Sequence, residues 1–445
     1  MGVIMQAFYW DCPKAENKEN QWWPVVEQSI PALRVAGFTA LWLPPASKGA
    51  NLNGPSMGYD PYDYYDLGDI DQKGSVKTWF GSRGDLDRLI KEAHASGMDV
   101  YADVVFNHNS GADAQETNPL DNSNRWTKFT PKSGKFPRDY TCFHPSPYEQ
   151  WDNGVFGDMP DLCHRNPYVY SQLIEYARWL LEEVGFDGFR YDCVKGYGGW
   201  MARAIQELRA LKNGKPMKPF GVGECWDSER VIDDWLDETN AWSDSPVAAF
   251  DFPLRDRLKS LCDTHDYDLR GLMQPGALFR DRPADAVTFV ENHDIVRDNP
   301  IVNDKMLAYA FILTHEGYPC VFWQDYFTWG LGQPGLKSGI AALVQVHEEY
   351  AAGATTILYC DRDLYIMQRD GWAGRHGLIL VINNRGDCWN GTWVQSKWPD
   401  TAFTTGAWCG LNDAGIPQEK YSQTDGWCDF WAPPRGYAVY LPQLG

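Results

Sequence analysis

Acidic, basic and imidazole side chains stand where four apolar segments of the chain end, and these residue types could carry out acid–base chemistry. The segments are Asp103–His108, Gly188–Asp192, Gly223–Trp226 and Phe289–Asp294. Their apolar, β-branched runs are typical of strands buried on both faces. In a (β/α)8 barrel the catalytic residues lie at the carboxyl ends of the parallel strands. The four segments therefore predict both a barrel and an active site at its mouth.

Asp192, Glu224 and Asp294 are the three carboxylates that such a mouth would gather. Like-charge repulsion among them would raise the proton affinity of one group and supply a proton donor. Glycoside cleavage needs one protonated and one ionised carboxyl group, and a separation of about 5 to 5.5 Å gives retention of configuration. Arg190 lies two residues before Asp192 on the same strand face, so we expect it to keep Asp192 ionised. One acidic residue at a strand end is usually a helix cap, but four ordered segments favour catalysis.

Length and charge limit the classes of function. A chain of 445 residues can hold a barrel and smaller additions, and its 44% of apolar residues include no run long enough to span a bilayer. The formal net charge of −20 opposes binding to nucleic acid or to an anionic membrane surface. It does not oppose a neutral polysaccharide, and the 21 Trp and 23 Tyr provide flat faces that suit sugar rings. Most of these rings are nevertheless expected in the core.

Strand-like runs alternate with helical patterns through the first three quarters of the chain, which predicts an α/β fold with a parallel sheet covered by helices. Two of these patterns predict helices over 22–36 and 166–184, each followed directly by a glycine. Eight strand candidates, from 3–10 to 320–323, match the count of a (β/α)8 TIM barrel. The alternation is interrupted after the third strand by a loop-rich insertion. From about residue 354, alternating segments predict an antiparallel β domain. We expect a barrel at 1–108 and 165–353, an inserted domain at 109–164 and a C-terminal domain at 354–445.

The eleven cysteines show no short repeated spacing, which argues against a zinc ribbon or a small disulfide scaffold. We expect one disulfide in the insertion and one in the last segment, which would favour an oxidising compartment. The candidates are Cys142 with Cys163, and two of Cys388, Cys409 and Cys428. Met1 leads directly into an apolar segment, so either the chain is cytoplasmic or an initiator Met replaces a signal peptide. We expect the second case, an extracellular protein.

The four segments resemble the four signature regions of the α-amylase superfamily, glycoside hydrolase family 13, and the resemblance covers essentially the whole chain. It is closest to archaeal and plant-type calcium-dependent α-amylases, whose Lys-Gly-Tyr sequence is matched at 195–197. The resemblance implies that Asp192 is the nucleophile, Glu224 the general acid/base and Asp294 the carboxylate that stabilises the transition state. The residues that it implies for substrate binding are Tyr59, His108, Arg190, Lys195 and His293.

Oxygen donors in the insertion favour a bound calcium ion, because Ca²⁺ takes six to eight oxygen ligands at about 2.3 to 2.6 Å. The resemblance implies as ligands Asn107, Asp152, the Gly154 carbonyl, Asp161 and the Gly196 carbonyl. Some archaeal relatives also hold zinc in this region. The matching positions here are His144, Glu149 and Cys163, with Glu149 in place of a histidine. The alternative to a zinc site is the disulfide between Cys142 and Cys163.

The resemblance implies an endo-acting α-1,4-glucan hydrolase that cleaves starch, glycogen-like α-glucans and maltooligosaccharides by a retaining double displacement. One alternative is a maltooligosaccharide-forming exo-amylase or a transglycosylase of the same family. Another is a glucan-binding protein that has lost catalysis, which the presence of all three carboxylates disfavours. We expect Ca²⁺ as the main cofactor, Zn²⁺ as the lesser alternative, a monomer, and no nucleic-acid or membrane partner.

Overall fold

Eight parallel strands form a closed barrel in the computed structural model, which describes residues 2–13, 22–212 and 214–444. Strands that are neighbours in the barrel are consecutive in the chain, and the first pairs with the last. The predicted barrel is confirmed. Its strands are Ile4–Gln6, Ala40–Leu43, Asp99–Val104, Gly188–Tyr191, Phe220–Gly223, Ala248–Phe250, Ala286–Phe289 and Tyr318–Phe322.

Contacts within the chain define two compact units. One unit comprises residues 1–9, 32–39 and 251–445, and the other comprises residues 10–31 and 40–250. The first contains barrel strands one, seven and eight together with the C-terminal sheets. The second contains barrel strands two to six and the loop-rich insertion.

Helices follow most of the barrel strands, and their starts can be read from capping residues. Ser82 accepts a hydrogen bond from the Asp85 amide, and the Asp85 carboxylate accepts one from the Ser82 amide, which forms a capping box. Asn166 caps the helix that Pro167 begins. None of the helices that the structure describes has the length and apolar character needed to cross a membrane. The α-helices are Trp22–Ala36, Arg83–Ala95, Pro167–Trp179, Gly199–Gln206, Glu229–Asn240, Phe252–Asp263, Leu278–Asp281, Ile295–Asp298, Lys305–Thr314 and Ile340–Glu349.

The existence of these elements is predicted better than their length. The helix expected after the first strand is found at Trp22–Ala36, whereas the strand expected over 3–10 spans only Ile4–Gln6. The helix expected over 166–184 is α-helical to Trp179 and continues as a π-helical turn at Leu180–Val184. Gly185 then takes a left-handed φ of 97°, which ends this helix and delays the fourth strand to Gly188.

The insertion is mostly irregular but is tied to the end of the third strand. It contains an exposed hairpin of strands Ala114–Thr117 and Asn124–Lys128 and a 3₁₀ turn at Tyr140–Cys142. Its far end returns to its root, because the Leu162 amide donates to the Asn107 carbonyl over 2.9 Å. This closure holds the loop beside the carboxyl end of the third strand.

The predicted C-terminal antiparallel β domain is confirmed. A six-stranded sheet and a two-stranded sheet enclose a core that includes Ile366, Val381 and Phe430. The domain boundaries expected at residues 109, 165 and 354 stay predictions. The strands of the larger sheet are Thr355–Cys360, Leu364–Arg369, Leu378–Asn383, Ala402–Cys409, Glu419–Tyr421 and Gly436–Pro442, and those of the smaller are Asn390–Gln395 and Trp427–Ala432.

Both expected disulfides are wrong, because the thiols of the candidate residues are all free, namely Cys142, Cys163, Cys388, Cys409 and Cys428. In the insertion, the Cys163 amide donates to the Cys142 carbonyl, while the thiol of Cys163 bonds His144. In the C-terminal domain, Cys428 packs in the apolar core whereas Cys409 lines a cavity. Cysteines that lie in the same segment of the chain are therefore not joined in disulfides in either region.

Candidate active site

The guanidinium of Arg190 joins carboxylates from three neighbouring strand ends. Its Nη1 donates to Asp192 Oδ1 over 2.7 Å and to Asp103 Oδ1 over 2.9 Å. Its Nη2 forms an ion pair with Glu224 Oε1 over 2.8 Å. Strand register explains this cluster, because Arg190 lies opposite Asp103 in the third strand and opposite Val222 in the fifth. Asp192 and Glu224 are therefore held on two nitrogens of one buried guanidinium.

Electrostatics in this cluster leave an excess of negative charge. Burial raises the pKa of Asp103 to about 7, and the Asp192 charge adds to this effect while Arg190 opposes it. Burial also disfavours a charged Arg190, but Asp103, Glu224 and Asp192 together raise its pKa well above the ordinary value. One permanent cation thus faces three carboxyl groups, which suits stabilisation of positive charge that develops on a substrate.

Asp103 is a functional position that the sequence analysis did not single out. Besides Arg190, its Oδ2 accepts hydrogen bonds from the Tyr59 hydroxyl over 2.8 Å and from Trp42 Nε1 over 3.1 Å. A charged residue inside an otherwise apolar buried strand was the signal, since such residues are rarely buried without partners. Asp103 links Tyr59 to the arginine cluster.

Tyr59 and His108 belong to the same compact unit as the arginine cluster. The Tyr59 ring stacks on Trp10 with 5.9 Å between ring centroids. His108 Nε2 lies 2.9 Å from the Tyr59 carbonyl oxygen, and His108 Nδ1 lies 3.2 Å from the side-chain nitrogen Nδ2 of Asn107. Its imidazole stacks on Phe156 at 4.7 Å, with the planes only 5° apart. Both His108 nitrogens thus have protein partners, and Phe156, missed from the sequence, covers one face of the ring.

His293 and Asp294 belong to the other unit. His293 Nδ1 lies 3.0 Å from Nε2 of the buried Gln6, and its ring packs against Phe8 at 4.8 Å. Its Nε2 lies 3.2 Å from Asp294 Oδ2. If the Gln6 amide donates, the imidazole proton resides on Nε2 and points toward Asp294. Gln6 was also missed, although a polar residue in a short buried strand was visible in the sequence.

Lys195 lies on the turn that follows the fourth strand and is held by the turn after the fifth. Its Nζ donates to the Trp226 carbonyl over 2.8 Å and to Asp227 Oδ2 over 3.0 Å. The backbone amide of Cys193 donates to Glu224 Oε2 over 3.1 Å. These bonds fix the two turns that carry Asp192 and Glu224 against each other.

The residues expected to hold calcium converge at the root of the insertion. A Cβ built on Gly154 would lie 2.3 Å from Asp161 Oδ1, 2.7 Å from the Gly196 carbonyl oxygen and 2.8 Å from Asn107 Oδ1. Asn107 Oδ1 and Asp161 Oδ1 are buried without a hydrogen-bond partner. Buried oxygens without donors are costly, and hard oxygen donors are the ligands that Ca²⁺ prefers. The residues present therefore fit a calcium ion.

Charge at this site also favours a cation. Burial, with the neighbouring Asp161, raises the pKa of Asp152 to about 6. Burial alone would lower the pKa of His144, but its hydrogen bonds with Asp161 and Cys163 and the nearby Asp152 raise it to about 10. Two close carboxyl groups thus draw positive charge toward the position between them.

The residues expected to bind zinc are also close together. One ligand atom each from His144, Glu149 and Cys163 lies within 4.8 Å of the others. His144 Nε2 is 3.4 Å from Glu149 Oε2, while its Nδ1 is 3.0 Å from Asp161 Oδ2. His144 therefore contributes to both groups of ligands. Zinc binding by this group stays a prediction.

A closed barrel with paired carboxylates on one arginine at its strand ends is typical of barrel glycoside hydrolases. Residues 23–326 match the family model described as the α-amylase catalytic domain, and residues 378–441 match the one described as the α-amylase C-terminal domain. The chain belongs to the α-amylase family of glycoside hydrolases.

Named relatives are similar along most of their length. An α-amylase of Geobacillus stearothermophilus is 33% identical over 99% of this chain and 87% of the relative. A glucan 1,4-α-maltohexaosidase of a Bacillus species is 33% identical over 79% of this chain and 76% of the relative. The crystal structure of an α-amylase from Geobacillus thermoleovorans complexed with acarbose has a TM-score of 0.72 at 21% identity, covering 100% of this chain and 98% of that one. This last likeness concerns the fold alone.

Proposed function

We propose that this protein is an endo-acting α-amylase that hydrolyses α-1,4 linkages in starch, glycogen-like α-glucans and maltooligosaccharides with retention of configuration. The observation that carries the proposal is the attachment of Asp192 and Glu224 to one Arg190 guanidinium. A retaining glycosidase needs two carboxyl groups side by side, one as nucleophile and one as acid/base. Similarity to α-amylases along nearly the whole chain supports the substrate class.

In this mechanism Asp192 attacks the anomeric carbon while Glu224 gives its proton to the leaving glycosidic oxygen. The bond from Arg190 Nη1 holds the Asp192 carboxylate in place as positive charge builds on the sugar ring. A covalent glycosyl–Asp192 intermediate results, and Glu224 then acts as the base that activates water. The water attacks the anomeric carbon, releases Asp192 and returns the proton to Glu224.

The remaining residues bind and orient the sugar in this proposal. Asp294 follows the seventh strand and would stabilise the transition state from there, with His293 Nε2 beside it. The Tyr59 ring would stack on the sugar ring whose bond is cleaved, and Lys195 would contact the neighbouring sugar ring of the glucan. His108 has Tyr59 and Asn107 as partners, so a sugar hydroxyl would share or replace one of these bonds.

Calcium, when bound, would supply a structural crosslink between the insertion and the barrel. The proposed ligands are Asn107, Asp152, the Gly154 carbonyl, Asp161 and the Gly196 carbonyl. Asn107 lies just after the third barrel strand and Gly196 follows the fourth, whereas the other three belong to the insertion. Holding this loop in place keeps Phe156 stacked on His108. Zinc binding, an extracellular location and a monomeric state are parts of the proposal that rest on sequence alone.

The nucleophile assignment is tested by the variant Asp192→Asn. We expect kcat on soluble starch to fall roughly a thousandfold or more, because removing a covalent nucleophile removes the intermediate. Adsorption to insoluble starch and the melting temperature should change little. Asp400→Asn, an exposed change in the C-terminal domain, serves as the matched control and should keep full activity. Starch hydrolysis by Asp192→Asn at the parent rate would disprove this assignment.

A maltooligosaccharide-forming exo-enzyme is the second candidate, because one relative with the same 33% identity is named a maltohexaosidase. The time course of products from soluble starch separates the two. Endo cleavage gives a mixture of chain lengths from the first minutes, whereas exo action gives one dominant short product. An early mixture is the result we expect.

A further inference from the structure

The ammonium group of Lys48 is buried among oxygen atoms of the loop that follows the second barrel strand. Its side chain is 0% exposed, and lysine is almost never fully buried unless its charge is paired. Its Nζ donates to the Val76 carbonyl over 2.7 Å and to the Ser75 carbonyl over 2.8 Å. These two oxygens form an oxygen cage with others that lie 3.4 Å from Nζ, namely the Ile70 and Lys77 carbonyls, the Ser75 hydroxyl and Asp66 Oδ2. None of the roles proposed above uses Lys48.

The oxygen cage resembles the surroundings of a metal ion more than those of an ordinary lysine. An ammonium group donates three hydrogen bonds, whereas six oxygens face this one, and four of them are backbone carbonyls. Carbonyl and carboxylate oxygens are the ligands that calcium and potassium ions take in proteins. The nitrogen of Lys48 therefore occupies a position that is suited to a bound cation.

Charge in the oxygen cage also requires a cation. Asp66 is 0% exposed, and its Oδ1 accepts hydrogen bonds from the backbone amides of Gly68 and Asp69. Burial lowers the pKa of Lys48, while the charge and hydrogen bond of Asp66 oppose this effect. Removal of the Lys48 amine would take away the cation that faces this buried carboxylate, which is costly. A small free cation that entered the cage would supply the missing charge.

The oxygen cage is attached to the loop that carries Tyr59. The two-residue strand Lys48–Gly49 pairs with the strand Pro61–Asp63, and Tyr59 lies between the two strands in the chain. The Lys48 amide also donates to the Asp66 carbonyl over 2.8 Å. The bonds from Nζ add residues 70–77 to this strand pair, so one side chain fastens both segments.

A second lysine fastens residues 70–77 to the insertion. Lys73 Nζ donates to the Gly111 carbonyl over 2.7 Å and to Asp113 Oδ1 over 2.8 Å. Residues 70–77 thus lie between the start of the insertion and the strand pair beside Tyr59. Loss of the buried cation would detach the strand pair from this support and leave Tyr59 less well placed.

We propose that the Lys48 ammonium is a built-in substitute for a metal ion, and that it positions Tyr59 by holding its strand pair against residues 70–77. Lys48 is a positioning residue, because it acts on the sugar only through Tyr59. The inference rests on the proposed function for the role of Tyr59.

Chemical rescue tests the oxygen cage. Lys48→Ala leaves space for a small cation, and we expect its kcat/KM on maltoheptaose to be about tenfold below that of the parent. Ammonium or potassium chloride should restore most of this loss. Tetramethylammonium chloride at the same ionic strength should restore none, because its cation is too large for the cage. Parent-level activity in Lys48→Ala without added cation, or a loss that neither small cation restores, would overturn the proposal.

The matched control is Lys91→Ala, which removes an exposed lysine from the second helix. Its activity and that of the parent should be equal in the three salts. If Lys48→Ala does not fold without a small cation, its refolding yield from urea replaces the rate as the measurement. Ammonium or potassium should then raise the yield above that in tetramethylammonium, and equal yields in the three salts would refute the oxygen cage.

A double-mutant cycle tests whether Lys48 acts through Tyr59. Tyr59→Ala should lower kcat/KM by itself. Adding Lys48→Ala to that variant should lower kcat/KM by less than about twofold more, because the loop no longer carries the ring that Lys48 positions. Losses that multiply in the double variant would show independent effects and would refute the positioning role.

The outcomes separate this inference from the proposed function. If the parent hydrolyses maltoheptaose and no small cation rescues Lys48→Ala, the inference fails while the α-amylase assignment stands. If the parent shows no hydrolysis but the refolding yield of Lys48→Ala depends on ammonium or potassium, the oxygen cage stands while the proposed function and the role of Tyr59 fail.

Discussion

At the scale of single residues, the geometry of the site depends on one guanidinium that contacts three carboxylates. The single guanidinium of Arg190 bonds Asp103 and Asp192 and pairs with Glu224. Removing a partner from a buried ion pair is costly because it leaves an uncompensated charge. Arg190 therefore acts as both the spacer and the counter-charge of the proposed catalytic pair. A lysine at this position could not bond the groups in the same planar arrangement.

Gln6 is expected to set the protonation state of His293. Its amide faces His293 Nδ1, which leaves Nε2 as the nitrogen directed at Asp294. In Gln6→Ala the imidazole can bind a second proton, so the acid limb of the kcat/KM profile should move to higher pH. We expect kcat near neutral pH to fall about tenfold, which corresponds to about 1.4 kcal/mol.

Gln206→Ala is the matched control for this variant. Gln206 is equally buried but bonds the Tyr191 hydroxyl over 2.8 Å, so its removal should lower stability without moving the pH profile. An unchanged acid limb in Gln6→Ala would mean that Gln6 only packs against the histidine.

Contacts between residues of one strand could be predicted from the sequence better than contacts between residues of different strands. The spacing of two between Arg190 and Asp192 was enough to predict their contact, since alternate residues share a strand face. The bond between Arg190 and Asp103 depends instead on the register of two strands 87 positions apart in the chain. Register follows from packing and loop geometry, so no local pattern revealed it.

At the scale of elements, the loop of residues 152–161 carries proposed calcium ligands and also Phe156, which stacks on the proposed substrate-binding residue His108. Its Gly154 lies where any side chain would meet oxygens of Asn107, Asp161 and Gly196. The loop has little regular structure of its own, so oxygen coordination would replace the backbone hydrogen bonds that stabilise a helix or strand. Calcium affinity and the position of Phe156 should thus be coupled.

Calcium removal should lower the melting temperature of the parent by several degrees, because a ligand bound only to the native state stabilises it by mass action. Gly154→Ala should melt at the temperature of the metal-free parent and should not respond to added calcium. Gly84→Ala in the second helix is the control, since its new methyl group has open space and favours the helix. Differential scanning calorimetry with and without chelator measures all three, and a calcium response in Gly154→Ala equal to that of the parent would contradict the ligand set.

Element types were predictable because burial patterns are local, whereas element ends depend on neighbours. The helix Trp22–Ala36 was predicted to the residue from its apolar spacing and the following Gly37. The first strand ends at Gln6, although its apolar run continues to residue 10. The exposed hairpin of the insertion carries no apolar alternation and gave no signal.

At the scale of the whole molecule, buried carboxyl groups control the pH dependence of stability. Burial raises the pKa of Asp251 and of Asp325 to about 6. Between about pH 4 and pH 6 the native state retains protons that the unfolded chain, with an aspartate pKa near 3.9, has released. The contribution of these two groups is therefore full below pH 4 and is lost as the pH rises through 6.

Asp251→Asn should abolish the Asp251 part of this dependence. The difference in free energy of unfolding between variant and parent should shift in favour of the variant by about 3 kcal/mol at most between pH 4 and pH 7. Asp256→Asn, exposed on the same helix, should give the same small difference at both pH values. Urea denaturation at the two pH values provides the measurement, and a pH-independent difference for Asp251→Asn would contradict it.

Ten cysteines, Cys142 and those that follow it in the chain, carry free thiols, and this has a practical consequence for making the protein. A native state that keeps these ten thiols reduced gains nothing from an oxidant, so refolding from denaturant in excess dithiothreitol should give full yield. An oxidising refolding buffer should instead trap mispaired chains, because eleven thiols offer many wrong partners while the chain is open. Expression in a reducing cytosol is thus the route that the native chemistry favours.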